Sequence, residues 1–343
     1  MTKVMLAVGT RPQVIKASVI VPELIKRRID FDFVNTGQHY DYEMDKIFFD
    51  EFSLPEPINL SVGSGDLCWQ IGTMMVLLEK LFKKSKYDIA MCFGDTNSTL
   101  AESLAAFECG IPLWHIEAGA RCGDKRMKEE MNRILTDHAS TLLFSVSRHC
   151  TKNLLKEGIS RERIHEVGDV MYDVFLKHKD RFVNEIAGEY VVLTVHRREN
   201  LIKSTLQKIL DQVGKISYDV YFPVHPHTKR KMSVWNTWVP DNVCLKRPFG
   251  YLEMQGLVSE ASCVITDSGG LQKEAFWHRV PCITLRNETE WTETVNNGNV
   301  LLSKIEGLSK VIEIMTSKKV DWTYNPYGDG HAAERIVEEI KHD

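Results

Sequence analysis

Short apolar runs alternate with longer amphipathic stretches along nearly the whole chain. The first are KVMLAV at 3–8 and FDFVNT at 31–36, with a helical pattern from about Pro12 to Arg28 between them. DIAMCF, PLWHI, TLLFSV and RIHEV follow, separated by amphipathic segments that include Thr96 to Glu108 and Met127 to His138. Runs this short and this apolar suit strands buried on both faces, and the 3.6-residue periodicity between them suits helices that cover those faces. The pattern predicts a βαβα order with a parallel sheet. The rhythm restarts at YVVLTV and continues through DVYFPV, NVCLK, SCVITD and PCITL. No sequence repeat links the two series, so only the architecture recurs.

A chain of 343 residues suits two domains rather than one. The predicted divisions are residues 1–170, residues 171–325 and a terminal helix within 326–343. The series change near Gly168 to Phe175, where no Pro/Gly/Ser-rich linker intervenes. The tail GDGHAAERIVEEIKHD reads as a capped amphipathic helix. The fold class expected is α/β, with two Rossmann-like domains.

Hydrophobic residues make up 43% and the net charge is −4, with both signs interspersed. Nucleic acid as the main partner would need a basic field, so it is not expected. A phosphorylated ligand needs only a local cationic pocket. The eight cysteines form no CxxC pair, and those in IAMCF and ASCVIT read as buried thiols. The apolar stretch before Gly9 and Arg11 is too short for a signal peptide. No run approaches the about 18 apolar residues of a membrane helix. The expected location is the cytoplasm, with no membrane partner.

In open α/β sheets ligands bind beyond the carboxyl ends of the strands. The segments there are GTRPQVIK, GDTNST, EAGAR, HRREN, HPHT, SGGLQKEA and RNETEW, unusually rich in charged residues. Two glycines at a helix start, as in Asp267-Ser268-Gly269-Gly270, let a backbone approach an anion that the helix N-terminus favours; a plain N-cap fits the same string. Glu274 lies one turn on and is able to accept from sugar hydroxyls. Arg11 and Lys16 flank another helix start, either as ligand groups or as a solvated basic pair. There is no GxGxxG and no GxxxxGK[ST], so neither dinucleotide nor P-loop chemistry is supported.

Asp95 and Glu117 each follow an apolar strand directly, and Glu129 and Glu130 open a helix with Arg133 one turn further. Carboxylates in unlike environments can serve as acid and base for proton transfer at carbon, although any one alone fits an ordinary cap or ion pair. His196 follows YVVLTV beside Arg197 and Arg198, where an imidazolium would stabilise a phosphate leaving group. His225 and His227 lie in the other series from the carboxylates, and no HExxH or DxD cluster is present, so no metal is expected.

These segments also carry a resemblance. GTRPQVIK, TGQHYDYEM, GDTNSTLA, HIEAGAR, KEEMNR, TVHRREN, PVHPHT, TDSGGLQKEA and LRNETEW, in this order over nearly the whole chain, resemble the non-hydrolysing UDP-N-acetylglucosamine 2-epimerases. The resemblance implies a glycosyltransferase-B-like architecture with an interdomain cleft, and a C-terminal helix that crosses back to the first domain. It implies anti-elimination of UDP to a 2-acetamidoglucal and re-addition with inverted C2, with no cofactor. It assigns Asp95, Glu117, Glu129 and His196 as catalytic, and Arg11, Lys16, Arg133, Phe249, Ser268, Gly269, Gly270 and Glu274 as ligand-contacting. The partners expected are a UDP-sugar and a second copy of the chain in a homodimer.

Two departures stand out. Where the family commonly reads TERPE, this chain reads Thr289-Glu290-Trp291-Thr292-Glu293, so Trp291 replaces a ligand-contacting arginine: either its apolar face packs against the methyl of a C3 acetamido group, or it packs in its loop with Arg286 as a substitute cation. RPQVIKAS, RMKEEMNR and TEW resemble the branch acting on UDP-2,3-diacetamido-2,3-dideoxyglucuronate. Asp41 and Trp69 stand where substrate-activated bacterial members carry a Gln and an Arg. The competing readings are a UDP-sugar glycosyltransferase of the same fold, a hydrolysing 2-epimerase and an inactive nucleotide-sugar sensor.

Overall fold

The computed structural model describes residues 2–38 and 48–340. Asp41 and most of TGQHYDYEM lie outside the described residues. The chain divides into two compact units, residues 1–177 with 326–343, and residues 178–325.

The first unit is built on a seven-stranded sheet. Its strands are β1 (Lys3–Val8), β2 (Asp30–Asn35), β3 (Ile58–Asn59), β4 (Ile89–Phe93), β5 (Leu113–Ala118), β6 (Leu142–Ser145) and β7 (Ile164–Glu166), all parallel. The spatial order is β3-β2-β1-β4-β5-β6-β7. Every residue of β4 is buried, which is why that strand is an unbroken apolar run. β3 has no such signature, because both of its residues are exposed.

Helix Arg11–Lys26 is buried along most of its length despite Pro22 in its interior. Proline removes the N–H that would bond the carbonyl four residues back. That carbonyl, of Ser18, instead accepts from Lys177 Nζ at 3.3 Å. The C-terminal helix Ala332–Glu338 packs against helix Arg11–Lys26 within this same unit. Its cap is not local: Ala333 N donates to Asp173 Oδ2 at 2.7 Å, while His331 at the N-cap makes no side-chain capping bond.

The second unit holds a six-stranded parallel sheet of β8 (Tyr190–Thr194), β9 (Asp219–Pro223), β10 (Val243–Lys246), β11 (Cys263–Thr266), β12 (Cys282–Thr284) and β13 (Asn299–Leu301). Alternate residues serve opposite faces. Val191, Leu193, Phe222, Ile265 and Ile283 pack in one core cluster, and Tyr190, Val192, Val264 and Cys282 in the other.

The order is β10-β9-β8-β11-β12-β13. In each unit the chain builds outward from one central strand and then crosses back to start beside it: β1 beside β4, and β8 beside β11. Such reversals open a crevice at the carboxyl ends of the two central strands. The residues there are Gly9–Arg11 and Gly94–Asp95 in the first unit, and His196 and Asp267–Ser268 in the second. Among the described residues no helix is long and apolar enough to cross a membrane, and no cluster of three or more His, Cys, Asp or Glu is placed to hold a metal ion.

Candidate active site

At the β1/β4 reversal the backbone is drawn tight. A Cβ on Gly9 would lie 2.0 Å from Ser98 Oγ and 2.2 Å from Thr36 Oγ1, so only glycine fits. Gly9 N donates to Gln13 Oε1 at 2.9 Å, and Gln13 Nε2 donates to the Phe93 carbonyl and to Thr99 Oγ1, each at 2.9 Å. One buried glutamine thus ties the loop after β1 to the end of β4. Arg11, half-buried at the helix start, lies 5.4 Å over the Phe48 ring.

Beside this point Lys16 Nζ lies 2.6 Å from Glu117 Oε2, with each side chain about nine-tenths buried. Glu117 has φ +74, in the left-handed region that a non-glycine residue enters at a cost of about 1–3 kcal/mol. The β5–β6 register shifts between Ile116 and Ala118, so the strand turns Glu117 out of its ladder. A Cβ on Gly94 would come within 3.3 Å of Lys16 Nζ and 3.8 Å of Glu117 Oε1, which puts the pair beside the Gly94–Asp95 turn.

Asp95 accepts two bonds from Arg133, at 3.0 Å from Nε and 2.6 Å from Nη2. Asn132 donates to the Asp95 carbonyl at 2.9 Å. Arg133 Nη1 also meets Glu130 Oε2 at 2.8 Å, and Glu130 accepts from the backbone of Cys122 and Gly123. Arg133 and Glu130 are buried on helix Lys128–Ala139, whereas Glu129, in the first turn, is exposed and stands apart from this row.

Behind the turn runs a buried series of charges. His115 Nε2 bonds the Gly94 carbonyl at 2.8 Å, and Nδ1 meets Asp137 Oδ1 at 2.6 Å. Asp137 Oδ2 accepts from Gly119 N at 3.1 Å and pairs with Arg121 at 2.7 Å, and Arg121 pairs with Glu157. Burial pushes the Asp137 carboxyl upward, but His115 and Arg121 outweigh it and leave the group below the ordinary carboxylate range. This series fixes both the Gly94 carbonyl and the loop that leaves Glu117. Sequence reasoning missed it, although a histidine inside the apolar run PLWHI signals a buried partner.

At the β8/β11 reversal His196 Nδ1 lies 3.0 Å from Asp267 Oδ1. Asp267 is fully buried and also accepts from His196 N, Arg197 N and Asn200 Nδ2. Burial raises its carboxyl, yet His196, Asn200 and the Arg197 amide more than offset that and hold it below its ordinary value. The carboxylate orients the imidazole through Nδ1, while half of the His196 side chain is exposed. Asp267 is a second residue that sequence reasoning left without a role; the signal was an acid at a strand end directly before SGG.

Ser268 caps helix Gly269–Trp277, its hydroxyl accepting from Leu271 N at 3.4 Å. The two glycines have different reasons. A Cβ on Gly269 would meet Glu290 Oε1 at 2.3 Å, so packing demands glycine there, whereas Gly270 is exposed and its nearest neighbour would be Glu274 Oε1 at 3.9 Å. The open approach to the helix N-terminus is therefore at Gly270. Glu274 Oε2 accepts from Gln255 Nε2 at 2.8 Å. Phe249 packs on the core with Arg247 5.4 Å over its ring, and lines an open pocket of about 510 Å³ with Arg181, Lys246 and Leu252.

Trp291 is 3% exposed, with Lys273 Nζ 3.6 Å over its ring and Lys273 itself buried. Arg286, also buried, pairs with Glu290 at 2.8 Å. The residue in place of the family arginine is thus packed into its loop. Trp69 is half-exposed near the start of helix Leu67–Lys84.

Comparison with known proteins gives consistent matches. Residues 23–341 match the UDP-N-acetylglucosamine 2-epimerase family. The chain is 41% identical to UDP-N-acetylglucosamine 2-epimerase of Methanocaldococcus jannaschii, with 98% of each chain covered. It is 38% identical to UDP-2,3-diacetamido-2,3-dideoxy-D-glucuronate 2-epimerase of Pseudomonas aeruginosa, again over 98% of each. The crystal structure of a Methanocaldococcus jannaschii UDP-GlcNAc 2-epimerase in complex with UDP-GlcNAc and UDP superposes with a TM-score of 0.93 at 40% identity, covering 98% of this chain and 99% of that one.

Proposed function

The chain belongs to the UDP-N-acetylglucosamine 2-epimerase family, and from that membership we propose that it inverts C2 of a UDP-linked 2-acetamido sugar without hydrolysis. UDP leaves C1 as the C2 proton is removed, giving a 2-acetamidoglucal, and UDP then returns after C2 is reprotonated on the other face. Atoms balance without a redox cofactor.

The observation that carries this reading is His196 held by Asp267 beside the Ser268–Gly269–Gly270 helix start. A diphosphate leaving group gains negative charge as the C1–O bond breaks. An imidazole braced by a buried carboxylate, together with a helix N-terminus, offers fixed donors to it. Preorganised donors of this kind are commonly the largest catalytic contribution, about 3–4 kcal/mol each. The proton at C2 needs groups of the other kind. Asp95 and Glu117, one carboxylate paired with Arg133 and the other with Lys16, are our candidates, with Glu129 as the third. Arg11 and Gly270 complete the set proposed to contact ligand.

A second reading keeps the reaction and changes the sugar to UDP-2,3-diacetamido-2,3-dideoxyglucuronate. It is favoured by the 38% identity to the Pseudomonas aeruginosa enzyme and by Trp291 in the TEW segment. Turnover of each UDP-sugar alone in deuterated water, read at C2, tests the reaction and chooses the sugar.

A further inference from the structure

Helix Lys128–Ala139 carries Arg133 and Asp137 one turn apart, both buried on one face. Arg133 bonds the Asp95 carboxylate. Asp137 reaches the chain on either side of Glu117. Its Oδ1 lies 2.6 Å from Nδ1 of His115, two residues before, and its Oδ2 accepts from the backbone N of Gly119, two residues after, at 3.1 Å. Arg121 pairs with the same Oδ2 at 2.7 Å.

The chain between those two contacts is strained. Glu117 has φ +74 and Gly119 φ +81, so two left-handed residues fall within three positions. A left-handed glutamate persists only where its surroundings over-determine it. Gly119 is also fixed from its other side: Asn153 Nδ2 donates to its carbonyl at 3.0 Å, and a Cβ there would lie 2.4 Å from the Cys150 carbonyl oxygen. His115 extends the bracket to the neighbouring strand end. A carbonyl only accepts, so Nε2 donates to the Gly94 carbonyl at 2.8 Å, and Gly94 N donates to the Ile116 carbonyl at 2.9 Å. His115 and Asp137 are fully buried, so water does not compete for these bonds.

We infer that Asp137 is a positioning residue: through Gly119 and His115 it holds the Glu117 carboxylate in fixed register with the Gly94–Asp95 turn. This rests on the proposed function, in which Asp95 and Glu117 are candidates to move the C2 proton. Asp137 and His115 act through the chain, behind the turn, and not on the sugar. Hydrogen-bond chemistry separates position from charge here. Asparagine at 137 keeps the bracket: its carbonyl accepts from Gly119 N and Arg121, its NH2 donates to His115 Nδ1, and Nε2 still donates to Gly94. Leucine has a similar size and keeps none of these bonds.

The test compares full-length wild type, Asp137→Asn and Asp137→Leu on the UDP-sugar that wild type turns over. Turnover is counted per UDP-binding site, titrated by calorimetry, so that unfolded molecules drop out. Asp137→Leu is expected to lose about 100-fold in kcat, the scale of a reacting group misplaced by about 1 Å. Its KM and UDP affinity are expected to stay within about threefold of wild type. Asp137→Asn is expected to stay within about threefold in kcat as well. If Asp137→Leu keeps its kcat, if Asp137→Asn loses as much as Asp137→Leu, or if the loss falls on KM and UDP affinity alone, the positioning role is wrong while the proposed function stands. If wild type exchanges no C2 hydrogen on either UDP-sugar, the proposed function falls, and the inference with it. Should Asp137→Leu fail to fold, Asp137→Ser carries the same decision, because one short hydroxyl cannot reach both His115 and Gly119: a kcat per site equal to that of Asp137→Asn overturns the inference.

Discussion

His196 and Asp267 lie 71 residues apart in sequence, yet Nδ1 of one sits 3.0 Å from Oδ1 of the other. The contact exists because β8 and β11 are neighbours at the point where the strand order reverses. Asp267→Asn keeps the size of the side chain and removes the charge that braces the imidazole. Turnover is expected to fall about 100-fold or more, the scale known for histidines that lose their orienting carboxylate. Steady-state kinetics beside UDP binding checks this: kcat should fall far more than affinity. Turnover within about threefold of wild type would count against the role given to the pair.

The Lys16–Glu117 pair makes a separate statement about stability. Both side chains are about nine-tenths buried. Removing one partner of a buried pair leaves the other charge uncompensated, at a cost of about 3–5 kcal/mol. Lys16→Met is expected to destabilise the protein by that order, and Lys16→Met with Glu117→Gln to recover most of it while remaining inactive. Urea unfolding of the three proteins measures the effect. A double variant no more stable than Lys16→Met would show that the pair is not coupled.

His278 gives an acid-sensitive contribution with a definite sign. Its folded-state value, about 4, is depressed by burial below the ordinary 6.5. The stability it contributes is present in full above about pH 6.5 and is lost as pH falls through 6.5 toward 4. The total is about 3 kcal/mol. His278→Gln does not titrate and is expected to lose less stability between pH 7 and pH 4 than wild type. Parallel pH–stability curves for the two proteins would refute the assignment.

Lys273 Nζ lies 3.6 Å over the ring of Trp291, the residue that stands where the resemblance implies an arginine. Trp291→Arg places a second cation against a buried one and is expected to destabilise by about 2–3 kcal/mol. Adding Lys273→Glu should return most of that by creating an ion pair. The ratio of kcat/KM for UDP-N-acetylglucosamine and the diacetamido uronate is expected to change little in the double variant, because Trp291 is buried. A large shift in that ratio toward UDP-N-acetylglucosamine would instead make Trp291 the selector.

The βαβα order was legible in the sequence because buried parallel strands must be apolar at nearly every position. β3 and β13 were not; in β3 both Ile58 and Asn59 are exposed, so no buried apolar run marks that strand. Strand ends pointed to His196, Ser268, Asp95 and Glu117 because polar groups stood where a buried run stopped. Their partners were hidden. Asp137 beneath His115, Asp267 beneath His196 and Gln255 beneath Glu274 are set by which strands and helices become neighbours, a long-range property. The positive φ of Glu117 was equally hidden, since nothing local in HIEAGAR marks a left-handed glutamate. The cap of the C-terminal helix proved to be Asp173, far away in sequence, rather than a residue of the tail.

The central claim is reversible, non-hydrolytic loss and return of UDP at a sugar whose C2 proton exchanges. The measurement that tests it most directly is NMR of UDP-N-acetylglucosamine, and separately of the 3-acetamido uronate, incubated with the protein alone in D2O. Deuterium is expected at C2 in both the gluco and manno nucleotide sugars, with UDP attached to each and no added nicotinamide or metal. Glu117→Gln should bind UDP and incorporate no deuterium. Free sugar accumulating in step with UDP, or turnover that begins only when an acceptor is supplied, would contradict it.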